Sequence, residues 1–472
     1  MVGIKSCSVY IPFSRLNRSE ITKSWGKSLL KGEKAVANYD EDSITMAVNA
    51  GIYCKIDMDD ESIDGLYFAS TTFPYREKQS AAIIAAALDL RRDIFTADFS
   101  GSLRGSTCAM RAAVDAINSN SAKNILVCIA DMRLGAPQGS SEIDFGDGAA
   151  SLLIGDTGVF AAIEGSHCIF NEFIDTWRTQ SNVFVLSAED RFVREKGYIN
   201  ILTEAVSMAL KKYHLTPKDF SKVVFYSPNP KSLIHLSRDL GFDPARQLQD
   251  SLYDLVGNTG TALGPMMLVA TFKQAKVGDR ILFASYGDGC DVYIFRITEE
   301  MERIRERIDV QAQLQSKQEI SYQKYLRWRN IIPVEPPTRP PLEKPSPVAL
   351  WRDSKRGLAL FGSKCKICET PQYPAQRVCI QCYTKDQFED YCFADKKGRL
   401  ITFSHDNLAA TIDPPATIAT VDFDEGGRIL CEMTDRDPEK IEVGMPIKMT
   451  FRIVRYSGGI YDYWWKCRPL NS

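Results

Sequence analysis

No regular helix or strand can run through residues 332–347, where seven of the sixteen positions are proline. Each proline lacks the amide hydrogen that helices and ladders use, and a run of them favours an extended, semi-rigid connector. A chain interrupted in this way folds as at least two units, a long one before the connector and a shorter one after it.

The long unit alternates between strand-like and helix-like stretches. Residues 2–11 alternate in polarity and read as a first strand. Residues 64–72 read as a buried strand ending in hydroxyl residues, 79–88 as a small-residue helix, and 94–99 and 124–130 as strands. A second run repeats the rhythm: a helix at 201–212, a strand at 222–226, helices at 230–240 and 258–275, and strands at 280–286 and 291–296. Two such runs in succession predict two packed α/β sheets related by a pseudo-twofold axis, with halves at 1–165 and 166–300. Residues 301–347 then hold a charged helical segment and the connector. Beyond it, an amphipathic helix is predicted over 348–361 within a unit at 348–392. Residues 393–472 are rich in short β-like runs and read as a small barrel.

The shorter unit carries the most specific motif. Cys365-x-x-Cys368 and Cys379-x-x-Cys382 offer four thiolates at the spacing of a closed tetrahedral zinc site, and the ion stabilises a ribbon too small to hold its own core. A rubredoxin-like iron centre is the lesser alternative. The other nine of the thirteen cysteines are scattered, which fits a reduced, cytoplasmic compartment better than a disulfide framework. With 44% hydrophobic and 25% charged residues and a net charge of −2, the chain shows no general attraction to nucleic acid or membrane. It has no apolar run long enough to span a bilayer and no signal-peptide core. A barrel with a zinc ribbon also suits oligonucleotides, but residues 346–472 hold 18 Lys and Arg against 17 Asp and Glu, without the basic excess such binders carry.

In the long unit the organising stretch is 98–117 (DFSGSLRGSTCAMRAAVDAI). A strand runs into small residues and then a helix rich in alanine, built for close packing. A helix start of this kind, with its free N–H groups and positive dipole end, is where a fold lowers the pKa of a nucleophilic cysteine. The stretch resembles the nucleophile turn of the thiolase superfamily in its hydroxymethylglutaryl-CoA synthase branch. In that alignment the family's cysteine falls on Leu103. Residues 67–75 (YFASTTFPY) resemble the strand end that bears the family's catalytic glutamate, which falls on Thr71. Residues 223–231 (VVFYSPNPK) resemble the strand that bears its histidine, which falls on Tyr226. Residues 257–260 (GNTG) keep the asparagine that meets a substrate carbonyl, at Asn258. Residues 285–289 (SYGDG) resemble the closing glycine loop, which implies that Gly287 and Asp288 lie beside the acyl-CoA. Segments 177–178 and 189–192 resemble the substrate-channel segments. The cysteine unit and barrel resemble the zinc-ribbon/OB-fold (DUF35-type) module of thiolase-like acyl-CoA enzymes, on 358–365 (LALFGSKC), 371–374 (PQYP), 398–404 (GRLITFS), 414–415 (PP) and 443–447 (VGMPI).

The resemblance implies a duplicated five-layer αβαβα fold followed by a zinc ribbon and an OB barrel, a coenzyme A thioester as substrate, and a homodimer. It also implies altered chemistry. The family's set acylates the thiol and deprotonates an acyl-CoA for carbon–carbon bond formation. Without a thiol at Leu103 there is no acyl-enzyme, but an enolate can still be handled non-covalently. Tyr226 is the expected acid/base, with Asn258 and helix N–H groups as oxygen donors. Thiolase-like aldolases that pair with a zinc-ribbon/OB partner have such cysteine-less sites, so the first reading is an aldolase or retro-aldolase acting on a β-hydroxyacyl-CoA. The alternatives are a divergent hydroxymethylglutaryl-CoA synthase or acyltransferase, and a non-catalytic scaffold subunit. Arg133 is read as a contact to a CoA phosphate or a carboxylate, with an ion pair as the alternative. Asp144, Asp147 and Asp288 are read chiefly as turn caps, Cys108 as a packing residue, and the four histidines as structural.

Overall fold

The computed structural model describes residues 1–55, 62–228, 232–335 and 343–470. The 336–342 part of the proline-rich connector lies outside the described residues. So do residues 229–231, with Pro230 at which the 230–240 helix is read to begin.

The first half contributes strands β1 (Gly3–Tyr10), β2 (Gly65–Ala69), β3 (Phe95–Phe99), β4 (Asn124–Met132) and β5 (Asp147–Gly155). The second contributes β6 (Ala161–Phe170), which spans the 165/166 position, then β7 (Lys222–Tyr226), β8 (Arg280–Tyr286) and β9 (Gly289–Ile297). The halves form sheets of order β3-β2-β4-β5-β1 and β6-β9-β8-β7. They join where β1 pairs with β6 through Gly3↔Ala162 and Ile4↔Ala161, giving one nine-stranded sheet.

Period-two alternation assigns each strand's faces to different layers. In β8, Ile281 and Phe283 enter the central core, while Leu282 and Ala284 enter an outer one. The central core is filled by helices α3 (Gly105–Asn118) and α6 (Leu263–Gln274). Outside the first half lie α1 (Ser43–Lys55) and α2 (Ser80–Ala87), and outside the second α4 (Ile199–Lys212) and α5 (Leu233–Asp239). This is the five-layer αβαβα order that the resemblance implies. Ala109 and Ala113 of α3 are fully buried, so small side chains bring this helix close to both sheets. Asp42 caps α1 reciprocally: its carboxylate accepts from the Thr45 amide at 2.8 Å, and Thr45 Oγ1 accepts from the Asp42 amide at 2.8 Å.

The single helix predicted over 348–361 is two short ones, Pro347–Arg352 and Ser354–Ala359. Asp353 leaves helical geometry between them, because aspartate and serine favour caps over helix interiors. The cysteine unit is a three-stranded sheet with Phe361–Cys365 between Pro371–Gln372 and Phe388–Cys392. The barrel orders Arg428–Glu432, Ala416–Phe423, Lys397–Asp406, Pro446–Ser457 and Ile460–Pro469. A parallel bridge from Met433 to Cys467 closes it.

The barrel docks on the outer helices of the first half and shares their core. An ionic cluster lies within the contact. Arg452, fully buried, meets Glu41 at 2.8 Å, Asp40 at 3.2 Å and Asp435 at 2.5 Å. Lys466 meets Asp40 at 2.9 Å and Glu432 at 2.8 Å, and Tyr463 donates to Asp42 at 2.7 Å. Among the described residues, no helix is long and apolar enough to cross a membrane.

Candidate functional site

The ends of β2, β3, β4 and β8 bring Thr71, Leu103, Arg133, Gly287 and Asp288 to one pocket of about 180 Å³, together with Asp175 and Arg178. A second pocket of about 170 Å³ shares Leu103, Arg133 and Thr176 with the first and adds Asn258, Ser140, Asp144 and Arg194. Leu103 therefore stands where the two meet, 8% exposed.

Several contacts fix the turn that carries Leu103. Thr107 Oγ1 donates to Asp291 of β9 at 2.6 Å, the Tyr293 hydroxyl donates to the Thr107 carbonyl at 2.9 Å, and Arg104 donates to the Ile169 carbonyl at 2.8 Å. The helix of the first half is thus pinned to the sheet of the second. Gly287 closes over the turn, and a Cβ there would lie 2.8 Å from the Arg104 nitrogen and 3.1 Å from Leu103 Cβ. No cysteine lines either pocket. Burial, then the nearby Asp291 carboxylate, raises the Cys108 thiol pKa, as expected of a packing residue.

Asn258 is oriented by its neighbours. Its Oδ1 accepts from the Gly260 amide at 3.0 Å and from the Tyr226 hydroxyl at 3.3 Å. With the oxygen occupied on that side, the amide NH2 is the end left for the pocket, where it can donate to a carbonyl oxygen. Tyr226 is 1% exposed and lines neither pocket. Burial raises its pKa well above the ordinary phenol range, so it stays a protonated donor.

Thr71 is held from beneath by Asp131. Oδ1 of Asp131 accepts from the Thr71 amide at 2.7 Å and from Ser70, Thr71 and Thr72 hydroxyls at 3.0 to 3.1 Å. Oδ2 accepts from the Thr261 amide at 2.8 Å. A Cβ at Gly260, which has φ +59°, would lie 2.4 Å from Asp131 Oδ2, so glycine is required there. Asp131 and Asp175 escape sequence reasoning, although each sits within two residues of a residue singled out, Arg133 and Trp177. Asp175 is 6% exposed on the lining of the first pocket. Burial, then the adjacent Asp175 carboxylate, raises the Tyr286 phenol pKa.

The remaining sequence candidates separate. The Arg133 guanidinium lies 4.3 Å over the Phe145 ring and faces both pockets. Asp288 is exposed at the rim in a left-handed turn, φ +43°. Asp144 accepts from Tyr253, while Asp147 accepts from the Ala37 amide and pairs with Arg329, away from the pockets.

The four cysteines converge. Their sulfurs all lie within 4.8 Å of one another, with Cys365 to Cys382 at 3.6 Å and Cys368 to Cys379 at 3.5 Å. A tetrahedron with bonds of about 2.3 Å needs edges of about 3.8 Å, so the set fits zinc. Ile367 and Gln381 amides donate to Cys365 and Cys379 sulfurs.

Residues 393–452 match the family described as ChsH2, C-terminal OB-fold domain. The chain is 30% identical over 343 residues to hydroxymethylglutaryl-CoA synthase of Methanopyrus kandleri, covering 70% of this chain and 98% of that one. It is 31% identical over 336 residues to the Pyrococcus horikoshii protein of the same name, covering 70% and 93%. Among solved structures it is similar to MvaS in complex with 3-hydroxy-3-methylglutaryl coenzyme A, with a TM-score of 0.63 at 21% identity over 72% of this chain and 94% of that one. It is also similar to 3-oxoacyl-[acyl-carrier-protein] synthase III from Aquifex aeolicus, with a TM-score of 0.57 at 21% identity, over 63% and 100%.

Proposed function

The chain belongs to the hydroxymethylglutaryl-CoA synthase family of thiolase-superfamily acyl-CoA enzymes, and from that premise we propose that it works on a carbon–carbon bond of a β-hydroxyacyl-CoA without a covalent acyl-enzyme. The observation that carries this reading is Leu103: the family's nucleophile position holds an apolar side chain, and no cysteine lines the pockets around it.

In the retro-aldol direction a base takes the β-hydroxyl proton. The Cα–Cβ bond breaks, its electron pair passes to the thioester as an enolate, and a ketone or aldehyde is released. Protonation at Cα then gives the shortened acyl-CoA. The Asn258 NH2 donates to the thioester oxygen as charge develops. Tyr226 is a positioning residue that holds Asn258 in this orientation. Asp175, the buried carboxylate on the Leu103 side, takes the hydroxyl proton. Arg133 meets a substrate carboxylate or a CoA phosphate from its perch over Phe145.

The relatives favour a second reading more closely: a condensing enzyme of the synthase type. A synthase-type condensation begins on an acylated nucleophile and so needs one other than residue 103, whereas the retro-aldol step needs none. The zinc ion is structural, held by Cys365, Cys368, Cys379 and Cys382. The exposed edge strand β3, with Phe95 66% exposed, pairs with a second copy in a homodimer.

The test is incubation of the full chain with a panel of β-hydroxyacyl-CoAs, reading carbonyl product and shortened acyl-CoA by mass spectrometry, with intact mass recorded after acetyl-CoA treatment. Carbonyl release with no acyl adduct is expected. An acyl adduct on any cysteine overturns the non-covalent reading. A folded protein that neither cleaves nor condenses leaves the scaffold alternative.

A further inference from the structure

Two arms leave the Leu103 position, and they differ in character. One passes Asn258, Ser140, Ser141 and Arg194. The other passes Thr71 and Arg178 into a polar cavity of about 460 Å³, which in turn meets a chamber of about 640 Å³ at Tyr75 and Lys78. Each step of the second arm shares lining residues with the next, which sets the chamber beside the candidate site.

The chamber belongs to no single domain. Ile83 comes from the first half, Leu350 and Leu358 from the helix pair after the connector, and Ile460 and Trp464 from the barrel. Tyr75 ties the walls together: the Tyr461 amide donates to its hydroxyl at 2.8 Å, and the two rings meet edge-on at 5.3 Å. Trp351, also on the lining, is 78% exposed, an apolar area that packing within the chain leaves uncovered. The cation on the barrel wall is already neutralised, since Arg455 meets Asp462 at 2.9 Å.

A thioester substrate also has two arms of different character. Coenzyme A carries several phosphate charges and is placed in the arm with Arg194 and the Ser140 and Ser141 hydroxyls; Arg133 stands at the junction of the two arms, and Arg76, Lys78 and Arg178 line the polar cavity of the other. An acyl group suits an apolar chamber, whose volume falls within the roughly 300–1,000 Å³ of ligand pockets. We infer that the chamber formed by the thiolase-like half, the helix pair and the barrel holds the distal hydrocarbon of a bulky acyl group, with the oxygen-bearing part of the substrate in the polar cavity beside Thr71 and Arg178. The inference rests on the acyl-CoA reading above and deepens it. The substrate class is a β-hydroxyacyl-CoA with a large apolar body, and the appended barrel is part of the substrate site. A two- or four-carbon acyl group would leave the chamber empty.

The test is calorimetric binding of free CoA and of saturated acyl-CoAs with 2, 4, 8 and 12 carbons, a series of rising apolar area; they lack a β-hydroxyl and are not cleaved. The full chain is compared with Leu350→Gln and Ile460→Gln, each checked for an unchanged melting temperature. Affinity is expected to rise at least about tenfold from the four- to the twelve-carbon thioester, because each buried methylene adds to binding. Each variant is expected to flatten that rise and leave free CoA unchanged. Measurable CoA binding with no chain-length dependence overturns the chamber assignment alone. So does a rise that both folded variants retain. No binding of CoA or of any thioester overturns the acyl-CoA reading and this inference with it.

Discussion

Asp131 holds Thr71 through two bonds, from the Thr71 amide at 2.7 Å and from its hydroxyl at 3.0 Å, so the residue at the family's glutamate position rests on a buried carboxylate. Because the same carboxylate reaches the Thr261 amide, it couples the turns of the two halves.

Asp131→Ala should therefore be costly twice over. It leaves the Thr71 and Thr261 amides and three hydroxyls without their acceptor, a loss of about 3 kcal/mol or more in stability. It also frees the Thr71 turn and the Asn258 turn to drift, which should lower carbon–carbon activity at least about a hundredfold. Asp131→Asn keeps one acceptor oxygen and should fall between. Thermal denaturation and steady-state kinetics on the same preparations check both effects.

Leu103→Cys puts a thiol where the family has one, yet should not restore condensation. Thr71 carries no carboxylate and its hydroxyl is already given to Asp131, and Tyr226 is a phenol in place of an imidazole. Intact mass after acetyl-CoA treatment is read alongside a condensation assay; no turnover is expected. Synthase activity from this single change would mean that the three substitutions are independent.

Tyr226→Phe removes the hydroxyl that helps orient Asn258 but leaves the Gly260 amide in place. The expected loss in kcat is about tenfold, with KM and melting temperature little changed, since one of two orienting bonds remains. Burial raises the phenol pKa above the ordinary range, so it stays protonated through alkaline assay conditions. The wild-type rate profile should show no basic limb from this residue up to about pH 10. A limb that disappears in Tyr226→Phe would make Tyr226 a base.

The two successive α/β runs were legible because they rest on alternation within strands and small residues in α3 and α6, which packing enforces; the five-layer order came with the resemblance. The frame around Thr71, Leu103 and Asn258 came from the resemblance of 67–75, 98–117 and 257–260 to family segments, and the structure brings these turns to two adjoining pockets. Asp131 was not legible, because nothing in its local pattern tells a buried anchor from a turn cap. The docked barrel was not either. Arg452, Lys466 and Asp435 carry no local signal of burial, and the contact with Asp40 and Glu41, some four hundred residues earlier in the chain, buries them. The 348–361 periodicity likewise hid the break at Asp353.

Removing the metal from the four-cysteine cluster should loosen the ribbon and spare the thiolase-like part. The ribbon sheet is small, whereas the nine-stranded sheet has its own cores. Chelation, or Cys365→Ser, should release about one zinc per chain and open residues 361–392 to protease while the first 300 residues stay protected. Metal analysis and limited proteolysis followed by mass mapping check this. Global unfolding on chelation would show that the ribbon holds the whole chain together.

The barrel contact should respond to pH in two opposite directions. Burial raises Asp42 from 3.8 to about 6, against the bonds from Thr45 and Tyr463. A carboxyl raised in the folded state contributes stability that is fully present below its unfolded pKa and is lost as pH rises through the folded value, on the order of 3 kcal/mol here. Asp435 is the reverse case. Burial opposes its charge, but Arg452 and Arg468 hold its pKa below the ordinary value. Its contribution is present above the unfolded pKa and is lost as pH falls through the folded one. Stability should thus rise as pH drops from 7 towards about 4 and fall in stronger acid. Asp42→Asn should reduce the rise, leaving the part that the Glu41 carboxyl supplies, which burial also raises, and leave the acid limb. Arg452→Met should remove most of the contact at every pH, by about 3–5 kcal/mol, because it strands Glu41 and leaves Asp40 and Asp435 with one cation each, Lys466 and Arg468. Denaturant unfolding followed by tryptophan fluorescence from pH 3 to 8 reads all three, and a wild-type curve that climbs steadily from pH 4 to 7 would contradict the Asp42 assignment.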